Sequence, residues 1–310
     1  MALSILFIVG GIAAVLWGAN LFTDGAADIA RRFRVPQIVI GMTVVAFGTS
    51  LPEFCVSFAS ALKGAADIAV GNVVGRNILN ALLFTGAAAA VAPIAVMRGT
   101  LARDIPQALI APVLLAALCM DRDVTRLDGA LLLTIFIVFM AYTMKAPRGE
   151  AKEGVEPARF GAWRCTLYII IGLAALVAGS SYFVDGASDV ARRLGVSDAI
   201  VGLTIAAAGT GLPELANSVV AARKGQPGLA LGNVIGSNVF NSLMVIGVTG
   251  LICPMQTNGI AATDFVVLVG STLLLWGMAF TKRHIERGEG AGLVLLYVAY
   301  TAWLVWQAAT

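Results

Sequence analysis

The sequence predicts an all-α membrane protein of ten transmembrane helices, arranged as two inverted-topology repeats of five. Three observations carry this. Of the 310 residues 59% are hydrophobic and only 13% charged, against roughly a quarter charged in a typical soluble domain. Apolar stretches of about 20 residues, the length that crosses a bilayer, recur along the whole chain. The chain also repeats itself at one constant offset, with an odd number of spans in each copy.

Taken in order, the stretches fall at about 2–22, 36–61, 67–96, 103–120, 127–145, 163–184, 197–222, 228–253, 261–281 and 290–308. The first lacks a charged leading segment and has a counterpart in the second half, so it reads as a retained span and not a cleaved signal peptide. The longest polar stretch, Lys145 to Arg164, divides the chain into a first repeat (1–145), a cytoplasmic linker (146–162) and a second repeat (163–310). That linker is too short to fold as a regulatory domain. With the N-terminus outside, the cytoplasmic loops hold Arg31, Arg32, Arg34, Arg98, Arg103, Lys145, Arg148, Lys152, Arg159, Arg164, Arg223, Lys224, Lys282, Arg283 and Arg287, which is 15. The other side holds Lys63, Arg122, Arg126, Arg192 and Arg193, which is five. The positive-inside rule therefore places both termini outside the cytoplasm of a cell membrane. The remaining basic residue, Arg76, lies within a span.

The net charge of +3 gives no reason to expect nucleic acid. Cys55, Cys119, Cys165 and Cys253 are scattered without paired spacing and read as packing residues. His284, the single histidine, sits in a basic run and reads as a solvated loop residue. No H-E-x-x-H or G-x-S-x-G arrangement appears, so an intramembrane enzyme is not expected.

The repeat is explicit. DGAADIARR at Asp24 returns as DGASDVARR at Asp185, and GMTVVAFGTSLPE returns as GLTIAAAGTGLPE. Glu214 minus Glu53, Asp185 minus Asp24 and Asn241 minus Asn80 each give 161. Five spans per copy make the second copy enter the bilayer from the opposite side, a plan used by alternating-access transporters. Each second span carries a G-T-x-L-P-E segment: Gly48, Thr49, Ser50, Leu51, Pro52, Glu53, and Gly209, Thr210, Gly211, Leu212, Pro213, Glu214. A proline has no N–H for the carbonyl four residues back, so Gly48 and Gly209 are expected to have freed carbonyls. A carboxylate one residue later marks a buried polar centre. Carbonyl, hydroxyl and carboxylate oxygens suit hard cations such as Na⁺ and Ca²⁺. Each third span opens with G-N-x-x-G-x-N-x-x-N, at Gly71, Asn72, Gly75, Asn77, Asn80 and at Gly232, Asn233, Gly236, Asn238, Asn241. These amides either complete a cation cage or only bridge neighbouring helices, as the prolines and glycines either serve a site or only kink. Gly10, Gly11, Gly18, Gly172 and Gly179 would let the first and sixth spans slide. Asp24 and Asp185 either gate the openings or act as helix caps or arginine partners.

The two blocks resemble the α-repeats of the cation/Ca²⁺ exchanger superfamily, and most closely its Na⁺/Ca²⁺ exchanger family, over most of the chain. The resemblance implies a secondary active antiporter, with no cofactor, that exchanges Na⁺ for Ca²⁺ across the lipid bilayer as a monomer. The two ions would compete for oxygen ligands at the bilayer midplane. It implies that Glu53 and Glu214 hold Ca²⁺ and share Na⁺, and that Thr49 and Thr210 lend backbone oxygens to Ca²⁺. Ala46 and Ala207 carbonyls, with the Ser50 and Ser237 hydroxyls, would serve flanking Na⁺ sites, and Asn80 and Asn241 would stand near the centre.

Three positions depart from the family pattern. Asn241 replaces an aspartate found in some members, which resembles K⁺ independence. Gly211 replaces the serine paired by symmetry with Ser50, and Arg76 replaces the serine paired with Ser237, turning a Na⁺ ligand into a permanent cation. Arg76 is expected either to pair with a glutamate and lower the number of Na⁺ moved per Ca²⁺, or to point its guanidinium along a water-filled passage. An H⁺/Ca²⁺ antiporter and a cation-binding protein or channel without coupled exchange are the alternatives to Na⁺/Ca²⁺ exchange.

Overall fold

The structure, a computed structural model, describes residues 1–145, 158–194 and 207–309. Linker residues 146–157 and the first part of the seventh predicted span, 195–206, lie outside the described residues. The chain is helical almost throughout. In order, the helices are α1 (Ala2–Phe33), α2 (Gln37–Thr49), α3 (Leu51–Leu62), α4 (Ala66–Val91), α5 (Thr100–Leu118), α6 (Arg126–Lys145) and α7 (Ala162–Arg193). They continue with α8 (Ala207–Thr210), α9 (Leu212–Arg223), α10 (Pro227–Ile252), α11 (Ala262–Lys282) and α12 (Arg287–Ala309). Among the described residues eight helices are long and apolar enough to cross a membrane, and α2 and α3, bent by 49° at Ser50, meet the same length and hydropathy only when taken together.

The bend has a local cause. Pro52 sits in the first turn of α3, and Ser50 between the two helices adopts φ −92°, ψ 2°. Gly211, before α9, has nearly the same backbone, φ −87° and ψ 0°, with Pro213 in the equivalent turn. The first and sixth spans are longer than their apolar stretches, because DGAADIARR and DGASDVARR are not loops but the last turns of α1 and α7, ending in arginines. Arg residues in the last turn complement the negative helix C-terminus.

Apolar and polar residues are distributed as bilayer solvation requires. Leu3, Leu6, Val9, Ile12, Leu16 and Trp17 face outward on α1, as do Leu295, Val298 and Trp306 on α12. In contrast, 78% of the spanning windows of both α4 and α10 is buried, against 33% or less in the other straight spans. α4 and α10 thus form the centre, and their motif asparagines point into protein and not lipid. α1 and α7 run antiparallel in close contact: Ser4 meets Gly186, Gly11 meets Gly179, Gly18 meets Gly172 and Gly25 meets Cys165. Residue numbers in each pair sum to 190, at a seven-residue step. A Cβ on Gly18 would come within 2.7 Å of the Gly172 carbonyl oxygen, so only glycine allows this approach. Gly10, expected to join this surface, instead faces open space.

Two short antiparallel ribbons tie the repeats together. β1 (Ile94–Ala95) pairs with β4 (His284–Ile285), and β2 (Asp123–Val124) pairs with β3 (Met255–Gln256). Met255 minus Ile94 and His284 minus Asp123 both equal 161, so the ribbons are the same pairing made twice with the repeats exchanged. His284 is therefore a ribbon residue, still exposed, and no disulfide forms among the cysteines.

Candidate functional site

The broken helices α2/α3 and α8/α9 meet the centres of α4 and α10 in a buried polar region. Glu53, on the first turn of α3, is 2% exposed, and Glu214, on the first turn of α9, is 1% exposed. Both carboxylates lie at helix N-termini, where unpaired backbone N–H groups and the helix dipole favour negative charge. Arg76, 5% exposed on α4, places Nη2 2.9 Å from Glu53 Oε1. The same nitrogen donates to the Thr210 hydroxyl at 2.5 Å, linking the two repeats. The guanidinium is therefore held among protein groups and does not line an open passage.

Repeat symmetry makes the difference between the two flanks plain. Position 211 corresponds to 50 and position 76 to 237, through the offset of 161. On one flank the Ser50 hydroxyl donates to Ser237 Oγ at 3.0 Å and approaches Glu214 Oε1 at 3.4 Å. On the other flank the equivalent pair is Gly211 and Arg76, beside Glu53. A Cβ on Gly211 would overlap Arg76 Nη1 and lie 2.6 Å from the Phe84 ring. The two departures that look separate along the chain are one steric event: the guanidinium fills space that a serine at 211 would need.

Around this centre the asparagines form a crossed network between α4 and α10. Asn80 Nδ2 donates to Asn238 Oδ1 at 3.0 Å, and its symmetry mate Asn241 Nδ2 donates to Asn77 Oδ1 at 3.1 Å. The Asn77 and Asn238 amides each donate to the other's backbone carbonyl at 3.2 Å. The Asn77 amide also donates to Ser242 Oγ at 2.7 Å. Both Asn80 and Asn241 open or join a π-helical turn (Asn80–Phe84 and Phe240–Val245), a distortion common at functional sites. With their NH₂ groups spent across the interface, Asn80 Oδ1 and Asn241 Oδ1 are buried and accept no hydrogen bond among the described residues. The same holds for Glu53 Oε2 and Glu214 Oε2. Orphaned buried acceptors each cost about 1–3 kcal/mol, and four in one region mark a place that a cation would satisfy.

Other expected ligands are placed as follows. Thr49 Oγ1 donates to the Val45 carbonyl and approaches Asn233 Oδ1, both at 3.1 Å, leaving the residue buried on the last turn of α2. The Ala46 carbonyl accepts the Ser50 N–H at 3.0 Å, so one lone pair is already engaged. Ala207 opens the short helix α8. The Gly209 carbonyl, expected to be free, accepts the Ser180 hydroxyl at 2.5 Å from α7; Ala19 stands in the equivalent place on α1, so this cap belongs to one repeat only. Asn77 and Asn238 act across the repeats to set the amides of their mates, a role that helical spacing within one span does not reveal. The Asn233 amide likewise bonds Ser218 Oγ at 2.9 Å, as Asn72 bonds Ser57 Oγ at 2.9 Å. At the periphery Asp24, within α1, pairs with Lys224 at 2.8 Å; Asp185 is exposed.

Among the described residues no three His, Cys, Asp or Glu side chains gather in one place. The oxygens available to a cation here are those of two carboxylates with amide, hydroxyl and backbone groups, a donor set that suits hard, weakly polarising ions.

Known proteins share this architecture. A family model described as sodium/calcium exchanger protein matches residues 3–145 and 165–306. The putative antiporter CaxA of Alkalimonas amylolytica is 40% identical, over 97% of this chain and 98% of its own length. The sodium/calcium exchanger MaX1 of Methanosarcina acetivorans is 30% identical, over 97% and 98%. A solved structure of the sodium-calcium exchanger NCX_Mj, soaked without Na⁺ and Ca²⁺, superposes with a TM-score of 0.85 at 32% identity, covering 98% of this chain and 99% of that one. The duplicated G-T-x-L-P-E bends, the buried glutamate pair and these full-length matches together mean that the chain belongs to the sodium/calcium exchanger family.

Proposed function

We propose that this protein is a secondary active antiporter that moves Ca²⁺ against Na⁺ by alternating access, with both ions using one set of oxygens between the repeats. The observation that carries the reading is the group of orphaned acceptors, Glu53 Oε2, Glu214 Oε2, Asn80 Oδ1 and Asn241 Oδ1, two from each repeat. Glu53 and Glu214 are the central ligands in this reading. Thr49, Thr210, Ala46 and Ala207 contribute backbone oxygens, Ser50 and Ser237 a hydroxyl flank, and Asn80 and Asn241 amide oxygens. Because the ions compete for the same carboxylates, loading one excludes the other, and competition enforces coupling. The full-length likeness to NCX_Mj, a sodium-calcium exchanger whose structures include one soaked with 100 mM Na⁺ and 10 mM Sr²⁺, supports this ion pair.

The reading includes ten spans as two inverted repeats, 1–145 and 163–310 joined by a cytoplasmic linker, with both termini outside. Two features favour inversion. α1 and its repeat mate α7 lie antiparallel, so they cross the bilayer in opposite senses. The two ribbons join the segment after α4 to that after α11, and the segment after α5 to that after α10. Since α5 separates the first repeat's two segments, the corresponding segments of the second repeat stand on exchanged sides.

The test is ⁴⁵Ca²⁺ uptake into proteoliposomes preloaded with Na⁺. Uptake that requires outward Na⁺ movement is the expected result. Uptake driven by a pH jump in the absence of Na⁺ would assign proton coupling instead, and passive uptake without any driving gradient would make the protein a channel.

A further inference from the structure

We infer that Arg76 is a tethered cation standing in one monovalent-ion position of the site, accommodated by Gly211, and that exchange is consequently electroneutral, two Na⁺ for each Ca²⁺. This rests on the exchange reading above and specifies its stoichiometry. Ser50 and Ser237 face each other 3.0 Å apart beside Glu214, presenting hydroxyl and carboxylate oxygens to a small cation. The equivalent volume beside Glu53 holds the guanidinium of Arg76, with its positive charge 2.9 Å from the carboxylate and bonded to Thr210. A mobile cation cannot enter that volume while Arg76 fills it. Lacking a side chain, Gly211 leaves the space, and the guanidinium overlaps the position that its Cβ would take. Arg76 and Gly211 thus form a matched pair, and the flank they replace is closed to ions.

The charge count then selects the stoichiometry. Counted with both carboxylates ionised, Glu53 and Glu214 contribute −2 and Arg76, paired with Glu53, +1, a formal charge of −1 for the site. One Ca²⁺ brings it to +1, and two Na⁺, one on the Ser50/Ser237 flank and one between the glutamates, also bring it to +1. Both loaded forms therefore cross the low-dielectric region carrying the same charge, whereas a third Na⁺ would raise it to +2 with no open flank to hold it. Equal charge in the two loaded forms means that a full cycle moves no net charge across the membrane.

The decisive measurement is the steady-state Ca²⁺ ratio across proteoliposomes with a fixed Na⁺ gradient and the potential clamped by K⁺ and valinomycin. Electroneutral exchange leaves that ratio unchanged when the potential is stepped, and the ²²Na⁺ to ⁴⁵Ca²⁺ flux ratio is about two. Movement of one net charge would instead shift the ratio about 50-fold per 100 mV, and such a shift with a flux ratio of about three overturns the inference. Arg76→Ser/Gly211→Ser rebuilds the second hydroxyl flank and is expected to gain voltage dependence and one further Na⁺. If that variant does not fold, the wild-type ratio alone decides. Na⁺-dependent flux that is voltage-sensitive rejects the tethered-cation inference while leaving exchange intact; absence of Na⁺-dependent flux rejects both.

Discussion

Glu53 and Glu214 are equivalent by repeat but not by environment, and that inequality can be read in stability. Glu53 faces a buried guanidinium at 2.9 Å, whereas Glu214 Oε1 faces the Ser50 hydroxyl at 3.4 Å. Removing one partner of a buried ion pair costs about 3–5 kcal/mol because the other charge stays unpaired. Glu53→Gln is therefore expected to lower the melting temperature of the ion-free protein in detergent, while Glu214→Gln leaves it unchanged or raises it. Both are expected to abolish Ca²⁺ transport in the proposed exchange, since each removes one of two carboxylates from the centre. Equal thermal shifts for the two variants would show that Arg76 is not held by Glu53.

At the scale of elements, the antiparallel α1/α7 pair is the surface on which one substitution should matter most and its neighbour least. The Cβ of a residue at 172 would come 2.6 Å from the Phe22 backbone nitrogen, and at position 10 it would meet nothing within 4 Å. Gly172→Leu is expected to destabilise by about 1–3 kcal/mol or more, as overpacking does, and to slow or stop transport. Gly10→Leu should match wild type in both melting temperature and flux. Similar losses from the two substitutions, followed by thermal unfolding and ⁴⁵Ca²⁺ uptake, would remove the reason for assigning this surface its close contact. The bends belong to the same scale: Pro52 and Pro213, with serine or glycine two residues before, are legible punctuation, and the helices break where that punctuation stands. The lengths of α1 and α7 were not legible from hydropathy, because their last turns are polar; each such segment begins against the first turns of the other helix, Gly25 on Cys165 and Gly186 on Ser4.

For the whole molecule, charge bias and ribbon pairing together make a topological prediction. In a background lacking the four native cysteines, none of which forms a disulfide, Arg98→Cys should react with an impermeant thiol reagent only from the cytoplasmic side. Asn258→Cys, beyond β3 and exposed, should react only from outside, because β3 is paired with β2 across the Arg122 loop. Reversed labelling would overturn the orientation, and labelling of both from one side would overturn inversion.

The membrane class, the duplication at 161 residues, the broken helices and the identity of the glutamates and asparagines at the centre are legible in the chain before it folds. These follow from local physics: apolar length, proline without an N–H, and a charge that hydrocarbon will not accept unless it serves a purpose. Only the tertiary structure decided how positions far apart in the chain share space. That Asn80 spends its amide on Asn238, that Ser180 caps Gly209, and that Gly211 and Arg76 are two halves of one substitution depends on packing among α4, α7, α8, α9 and α10. Residues 135 apart, such as 76 and 211, leave no periodic trace of their contact. Steric exclusion between them exists only once the repeats have closed on each other.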